Sequence, residues 1–146
     1  MAMIMNRLIS LLAGVSVLFI QVPAIADERS DGPGKAAEHF YAGYLTLVSA
    51  EKDTTSWVAK SSFVTKNFKK SYAKQMHAES VEVDPVLQAQ DTPTSPFKAI
   101  KSTIDGTGTK ATVILTAKYS DETQKLTVNM VRMDNVWKLD AVDAAK

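Results

Sequence analysis

The spacing of apolar residues changes near Phe97, and this change restricts the fold more than any other feature of the chain. Beyond Phe97, apolar and polar residues alternate through four stretches, at 97–104, 111–119, 126–130 and 136–142. Such alternation predicts β-strands with one buried face. The turns between the strands are expected at Asp105-Gly106-Thr107-Gly108, Ser120-Asp121-Glu122 and Asp134-Asn135. Because turns this short join antiparallel neighbours, the C-terminal half is expected to form a four-stranded meander.

Before that point, apolar residues recur at spacings of three and four, which is typical of amphipathic helices. The first helix is predicted over residues 35–48, after a breaker at Gly32-Pro33-Gly34. A second helical zone is predicted over 57–76. Its apolar stripe consists of Val64, Phe68, Tyr72 and Met76.

Two serines are expected to divide the second zone. Ser61 and Ser62 separate its apolar groups, and Thr65 stands where it can cap the second piece. Thr55 or Ser56 is the expected cap of the first piece, because a side-chain oxygen there can accept from a free backbone amide.

Residues 79–96 separate the helices from the strands. They contain three X-Pro pairs, Asp84-Pro85, Thr92-Pro93 and Ser95-Pro96, and are expected to form an extended, irregular crossing segment. Helices followed by antiparallel strands indicate an α+β domain. We expect N-terminal helices packed on a curved four-stranded antiparallel meander sheet, a cone or roll. A concave sheet of this kind often encloses a pocket, and whether this cone has an open one is left undecided.

The first 26 residues have the pattern of a cleavable signal peptide. An apolar run from Leu8 to Ile20 is followed by small residues at Ala24 and Ala26, and cleavage is expected after Ala26. The start codon is open among Met1, Met3 and Met5. The expected organisation is a signal peptide at 1–26, a flexible tail at 27–34 and one α+β domain at 35–146. The expected location is the periplasm, with no stable membrane anchor after cleavage.

Charge and cysteine content exclude several classes of protein. The 146-residue chain has 17 Lys and Arg against 16 Asp and Glu, so it lacks the basic excess of a nucleic-acid binder. It has no cysteine. Disulfides, thiolate metal sites, thiol nucleophiles and lipid-modified cysteines are therefore excluded.

Three segments resemble a family of exported bacterial proteins of unknown function. They are Phe40-Tyr41-x-x-Tyr44-Leu45, residues 84–91 with the sequence DPVLQAQD, and Val136-Trp137-Lys138-Leu139-Asp140. The resemblance covers about residues 35–143. It implies a nuclear-transport-factor-like (cystatin-like) α+β cone and an exported location, and it supplies no catalytic residue. Some small exported immunity proteins have a comparable size and location.

The sequence contains no clear catalytic motif. There is no G-x-S-x-G nucleophile elbow, and the two histidines, His39 and His77, fall on separate predicted helices without H-E-x-x-H spacing. We expect both to be surface residues and expect no metal and no cofactor. Residues 106–110, GTGTK, lack the spacing of a phosphate loop and are read as a hairpin turn.

One enzymatic arrangement stays open. Tyr41 or Tyr44 with Asp84 or Asp91 could line a pocket inside the cone, where burial would raise the pKa of the carboxyl group toward neutrality. The alternative is that the tyrosines pack on the sheet and the aspartates accept from turn amides.

Two polar features are candidates for partner binding. In the crossing segment, Gln88, Gln90 and Asp91, together with Asp84, either bind a ligand or cap the fold. On the second helical zone, Lys66, Lys70 and Lys74 form a line with Lys69 beside it. That line is either a solvated face or a surface for an acidic partner.

These observations favour a periplasmic, non-enzymatic binding protein, with an immunity-type inhibitor of a secreted cell-wall-degrading effector as its specific form. The main alternative is a small-ligand carrier or enzyme that uses a pocket inside the cone. A structural component of the envelope is a third reading. The expected partner is an envelope protein, and a homodimer through the exposed sheet face stays open.

Overall fold

Three helices precede four strands in the computed structural model, which describes residues 32–145. The helices are α1 (Pro33–Ser49), α2 (Thr54–Lys60) and α3 (Lys66–Met76). The strands are β1 (Lys98–Ile104), β2 (Lys110–Lys118), β3 (Thr123–Met133) and β4 (Val136–Ala144). The signal peptide predicted at 1–26 lies outside the described residues.

The strands form one antiparallel sheet in the order β1-β2-β3-β4, which is the predicted meander. The sheet is open and curved, with one face covered by helices, so the α+β fold class is confirmed. The β3–β4 turn at Asp134-Asn135 has positive φ at both residues (52° and 62°), as a tight type I′ hairpin requires.

The inward side chains of the sheet follow the strand alternation. They are Ala111, Val113, Leu115, Ala117, Leu126, Val128, Met130, Trp137 and Leu139. Helix α1 packs across all four strands and presents Ala37, Phe40, Tyr41 and Tyr44 to them. The predicted stripe on α3 is buried at Phe68 and Tyr72, and Val64 immediately before the helix is buried as well.

Two helix starts differ from the sequence expectation. Helix α1 begins at Pro33 rather than Lys35, because proline at the first helical position already has a helical φ and lacks only an amide that would be free there. The cap of α2 is Asp53 rather than Thr55 or Ser56; its carboxylate accepts from the backbone amide of Ser56 at 3.1 Å. Ser61 ends α2 and Thr65 caps α3, as predicted.

Candidate functional site

The crossing segment contains a closed loop rather than only an extended strand. The backbone amide of Asp84 donates to the carbonyl of Ala89 at 3.0 Å, and the amide of Gln88 donates to the carbonyl of Asp84 at 2.7 Å. Gln88 has a φ of +52°, which reverses the chain. The loop places Val86 and Leu87 in the core, so residues 84–89 form a plug against one end of the sheet.

Asp84 holds this plug through both carboxylate oxygens. Its Oδ1 accepts from the backbone amides of Val86 at 2.7 Å and Leu87 at 2.9 Å. Its Oδ2 accepts from the Tyr44 hydroxyl at 2.7 Å. The carboxylate of Asp84 is therefore fully engaged in joining the loop to α1.

The hydrogen bonds continue from Tyr44 into the other helices. The Tyr44 and Tyr72 hydroxyls lie 3.0 Å apart, and the Tyr72 hydroxyl donates to Thr54 Oγ1 at 2.9 Å. Burial, followed by the nearby charge of Asp84, raises the pKa of Tyr44. The phenol consequently stays protonated at neutral pH and donates its one proton to Asp84, within a chain of hydroxyls that links α1, α2, α3 and the plug.

Tyr41 has a parallel role on the same face of α1. Its hydroxyl donates to the carbonyl of Val86 at 2.9 Å, and its ring centroid lies 4.6 Å from that of Phe97. Burial, with a smaller contribution from Asp84, raises the pKa of Tyr41 well above its ordinary value. Tyr41 and Tyr44 are both 0% exposed, so a ligand in solvent cannot touch either.

The four predicted residues of the crossing segment divide into two groups. Asp84 and Gln88 belong to the plug. The side-chain amide of Gln88 donates to the carbonyl of Pro85 at 2.7 Å, and the side-chain amide of Gln124 on β3 donates to the carbonyl of Gln88 at 3.0 Å. Gln90 and Asp91 are exposed. Asp91 borders a surface groove of about 400 Å³ that also contains Asp121 and Glu122.

The interior that an enzyme or small-ligand carrier of this design needs is occupied by side chains. Twelve large side chains are fully buried in this core, among them Phe40, Tyr41, Tyr44, Tyr72, Leu115 and Leu126. Tyr44 and Asp84 do come together as the enzymatic hypothesis requires, but both are consumed by structural hydrogen bonds. The space inside the cone, where a pocket was the alternative, is therefore filled by core side chains.

A wider groove lies outside, where α2 and α3 meet the β3–β4 edge of the sheet. It has a volume of about 620 Å³. Lys60, Lys66, Lys69 and Lys138 stand around it, and Val131 and Met133 contribute apolar surface. Met133 is 46% exposed.

Other candidate chemistry has little structural support. His39 is exposed, and its ring lies 5.2 Å from the Phe63 ring rather than beside a carboxylate. Within residues 32–145, no three His, Asp or Glu side chains are placed to share a metal ion. In the same range, no helix has the length and apolar content needed to cross a membrane.

Sequence reasoning missed both the plug and the groove. Val86 and Leu87 are two apolar residues among polar ones, so they give no periodic signal of burial. The groove joins residues from α2, α3, β3 and β4, and of these only Lys66 and Lys69 were named from the sequence as candidates for partner binding. The one feature of the local sequence that pointed to the groove was the position of these two lysines. They occupy the first turns of α3, where positive side chains are unfavourable.

Comparison with known proteins gives a structural likeness. No protein-family model and no curated protein matches the chain. A chain in the crystal structure of the type VI native effector-immunity complex Tae3-Tai3 from Ralstonia pickettii has a similar fold, with a TM-score of 0.65 and 20% sequence identity. The match covers 79% of this chain and 96% of that chain. At this identity the likeness shows a shared α+β fold.

Proposed function

We propose that this chain is a non-enzymatic, immunity-type binding protein that docks on a secreted effector and inhibits it. The observation that carries the proposal is the fold shared with 96% of a chain taken from an effector-immunity complex. Because fold alone does not establish function, the proposal also rests on what the residues of this chain are free to do.

The interior supports a binding role over a catalytic one. The tyrosines and the aspartate that an active site would use are locked in hydrogen bonds among the helices and the plug. A filled core of this kind is a rigid scaffold, and a rigid scaffold loses little conformational entropy when its surface meets a partner. The surface is then where recognition takes place.

We place this role in the periplasm, on the sequence pattern of residues 1–26. The cell wall lies in that compartment, so an inhibitor of a cell-wall-degrading effector must be exported to meet its target. Gln90 and Asp91, exposed at the end of the plug, are retained as proposed secondary contacts with the partner.

Protection of living cells tests this function. A bacterium is made to export the candidate effector, a secreted cell-wall hydrolase sought among the genes beside that of this chain, and lysis is followed by optical density. Co-expression of residues 1–146 is expected to prevent lysis. The matched control begins at Asp27 behind a new start codon, and it is expected to leave lysis unchanged because it stays in the cytoplasm.

The same assay gives the opposing results. Lysis that proceeds unchanged when the full chain is present would contradict the inhibitory function. Equal protection by the chain that lacks residues 1–26 would contradict the periplasmic location and leave inhibition standing.

A further inference from the structure

We propose that the groove between the α2–α3 corner and the β3–β4 edge is the surface that binds the effector, and that it receives an acidic loop with an apolar side chain at its tip. This inference rests on the proposed function and names the part of the molecule that carries it out. Below, "corner groove" means the space bordered by Lys60, Lys66, Lys69, Lys138, Val131 and Met133.

The corner groove has a strong excess of positive charge. Four ammonium groups border it, against the single carboxylate of Asp140. One oxygen of that carboxylate already accepts from the Thr65 hydroxyl at 2.6 Å. In the part of the chain that the structure describes, the one ion pair joins Lys35 to Glu38, so none of the four lysines has a carboxylate partner within the fold. These ammonium groups are therefore free to meet carboxylates of another molecule.

Two of these lysines occupy positions that do not favour helix stability. Lys66 is the first residue of α3 and Lys69 lies in its first turns, and no acidic residue is present in the first turn. The amino-terminal end of a helix carries a partial positive charge, so a lysine there is repelled and a carboxylate would be attracted. Contact with an anionic partner would offset this unfavourable placement of the two lysines.

The surface between the lysines includes apolar side chains of β3 beside the polar Ser61, Ser62, Thr65 and Asn67. Val131 and Met133 are two residues apart and both lie on the outer face of β3. Val136, which is paired with Met133, is 40% exposed. Exposed methionine and valine surrounded by charge is the usual anatomy of a protein-binding site, with an apolar centre and a polar rim. A loop that combines carboxylates with an apolar tip matches both parts.

The groove is held in shape by backbone contacts. The segment before α3 runs beside β4, where the Leu139 amide donates to the Phe63 carbonyl at 2.8 Å and the Thr65 amide donates to the Leu139 carbonyl at 2.9 Å. The Thr65 hydroxyl fixes the start of α3 by accepting from the Phe68 amide at 3.1 Å. Both walls are therefore fixed to each other before a partner arrives.

The test measures the affinity of groove variants for the candidate effector, a secreted cell-wall hydrolase, by isothermal titration calorimetry. Reversal of two charges, K66E with K69E, is expected to raise the Kd about 100-fold, because like charges at an interface cost several kcal/mol. Met133→Ala is expected to raise the Kd about tenfold through loss of the apolar contact. The charge reversal also suits the start of α3, so folding should survive it.

The matched controls come from the same chain. K70E with K74E reverses two exposed lysines of α3 that do not border the corner groove. Ile100→Ala removes an exposed apolar side chain of β1, 56% exposed, at the opposite edge of the sheet from β4. Both controls are expected to bind within about twofold of the unmodified chain, as surface changes outside an interface do.

The outcomes separate the surface from the function. Weaker binding by the groove variants alone supports the corner groove. Unchanged binding by those variants, or weaker binding by Asp91→Lys or by the controls instead, overturns the corner groove and leaves the proposed function standing. If the unmodified chain does not bind the hydrolase at all, the corner groove and the proposed function are both contradicted. If K66E with K69E abolishes binding to phosphatidylglycerol vesicles but not to the hydrolase, the groove serves a membrane and the proposal is overturned.

Discussion

The hydroxyl of Tyr44 joins the plug to the helices through hydrogen bonds with two side chains. It donates to Asp84 Oδ2 at 2.7 Å and lies 3.0 Å from the Tyr72 hydroxyl. Asp84 in turn accepts from two backbone amides of the plug. Because these groups are removed from water together, loss of one leaves the others buried without a partner, which costs more than the hydrogen bond alone contributes.

Tyr44→Phe is expected to lower the free energy of unfolding by about 1–3 kcal/mol, the usual cost of an unsatisfied buried polar group. Tyr119→Phe is the matched control, since the Tyr119 hydroxyl is buried and has no hydrogen-bond partner among the described residues. That control is expected to leave stability unchanged or slightly raised. Urea unfolding at pH 7, followed by circular dichroism, measures both, and an equal loss in the two variants would contradict the role given to Tyr44.

Alkaline pH should weaken the fold through the same tyrosines. Burial raises the pKa of Tyr41 and Tyr44 above the ordinary value near 10, so the folded state keeps protons that the unfolded state releases. Their contribution is complete below pH 10 and is lost as the pH rises further. Each tyrosine adds a slope of up to about 1.4 kcal/mol per pH unit there.

Unfolding free energies at pH 8, 10 and 11 test this dependence. The loss of stability between pH 10 and 11 is expected to be smaller in Tyr44→Phe than in the unmodified chain. Lysines titrate in the same range in both proteins, so the difference between the two isolates the tyrosine. Identical slopes would show that Tyr44 is not protected from ionisation by the fold.

At the scale of elements, the start of α3 is tied to the sheet by one side chain. The Thr65 hydroxyl accepts from the Phe68 amide and donates to Asp140 on β4. Thr65→Ala removes the helix cap and leaves the carboxylate without that donor, and it is expected to cost about 2 kcal/mol. Thr65→Ser retains the hydroxyl and should cost less than about 0.5 kcal/mol. Thermal unfolding of the pair checks this, and equal losses would argue against the cap.

Elements with strong local patterns could be predicted from the sequence. The alternation after Phe97 predicted four strands and their order, because turns at Asp105–Gly108 and Asp134-Asn135 allow only neighbouring antiparallel pairing. The break at Ser61 and the cap at Thr65 were likewise readable, since capping depends on side chains close in sequence.

The plug could not be predicted, because its stability comes from residues distant in sequence. Asp84 meets Tyr44 across 40 positions, and Tyr41 reaches Val86 across 45. Asp84 and the tyrosines were named in the sequence as a possible active site, and their proximity is what the structure shows. These residues have a structural role because they are buried. Their burial depends on packing between segments distant in sequence, which local sequence patterns do not predict.

At the scale of the whole molecule, a nearly neutral chain separates its charges. The corner groove is positive, while Asp91, Asp121 and Glu122 border a groove at the other end of β2 and β3. Lys110 and Lys118 are the first and last residues of β2, so the length of this strand separates the two grooves. A partner with an acidic loop would therefore be oriented as it approaches, since charge complementarity guides encounter more than it adds final affinity.

Association with the effector should depend on salt for this reason. Raising the salt concentration from 50 to 500 mM is expected to slow the association rate by about tenfold or more, because the Debye length falls well below the size of the groove. K66E with K69E should show a weaker salt dependence than K70E with K74E. Stopped-flow fluorescence measures these rates, and an equal dependence in the two variants would place the charge effect elsewhere.

Inhibition of the effector itself tests the central claim most directly. The purified candidate effector, a secreted cell-wall hydrolase, is titrated with residues 27–146 while the release of peptidoglycan fragments is measured. Activity is expected to fall linearly and reach its minimum at one chain per effector, with a Kd of about 10 nM or tighter, as in stable protein-inhibitor complexes. Hydrolysis that stays unchanged at a tenfold excess of the chain would contradict the account.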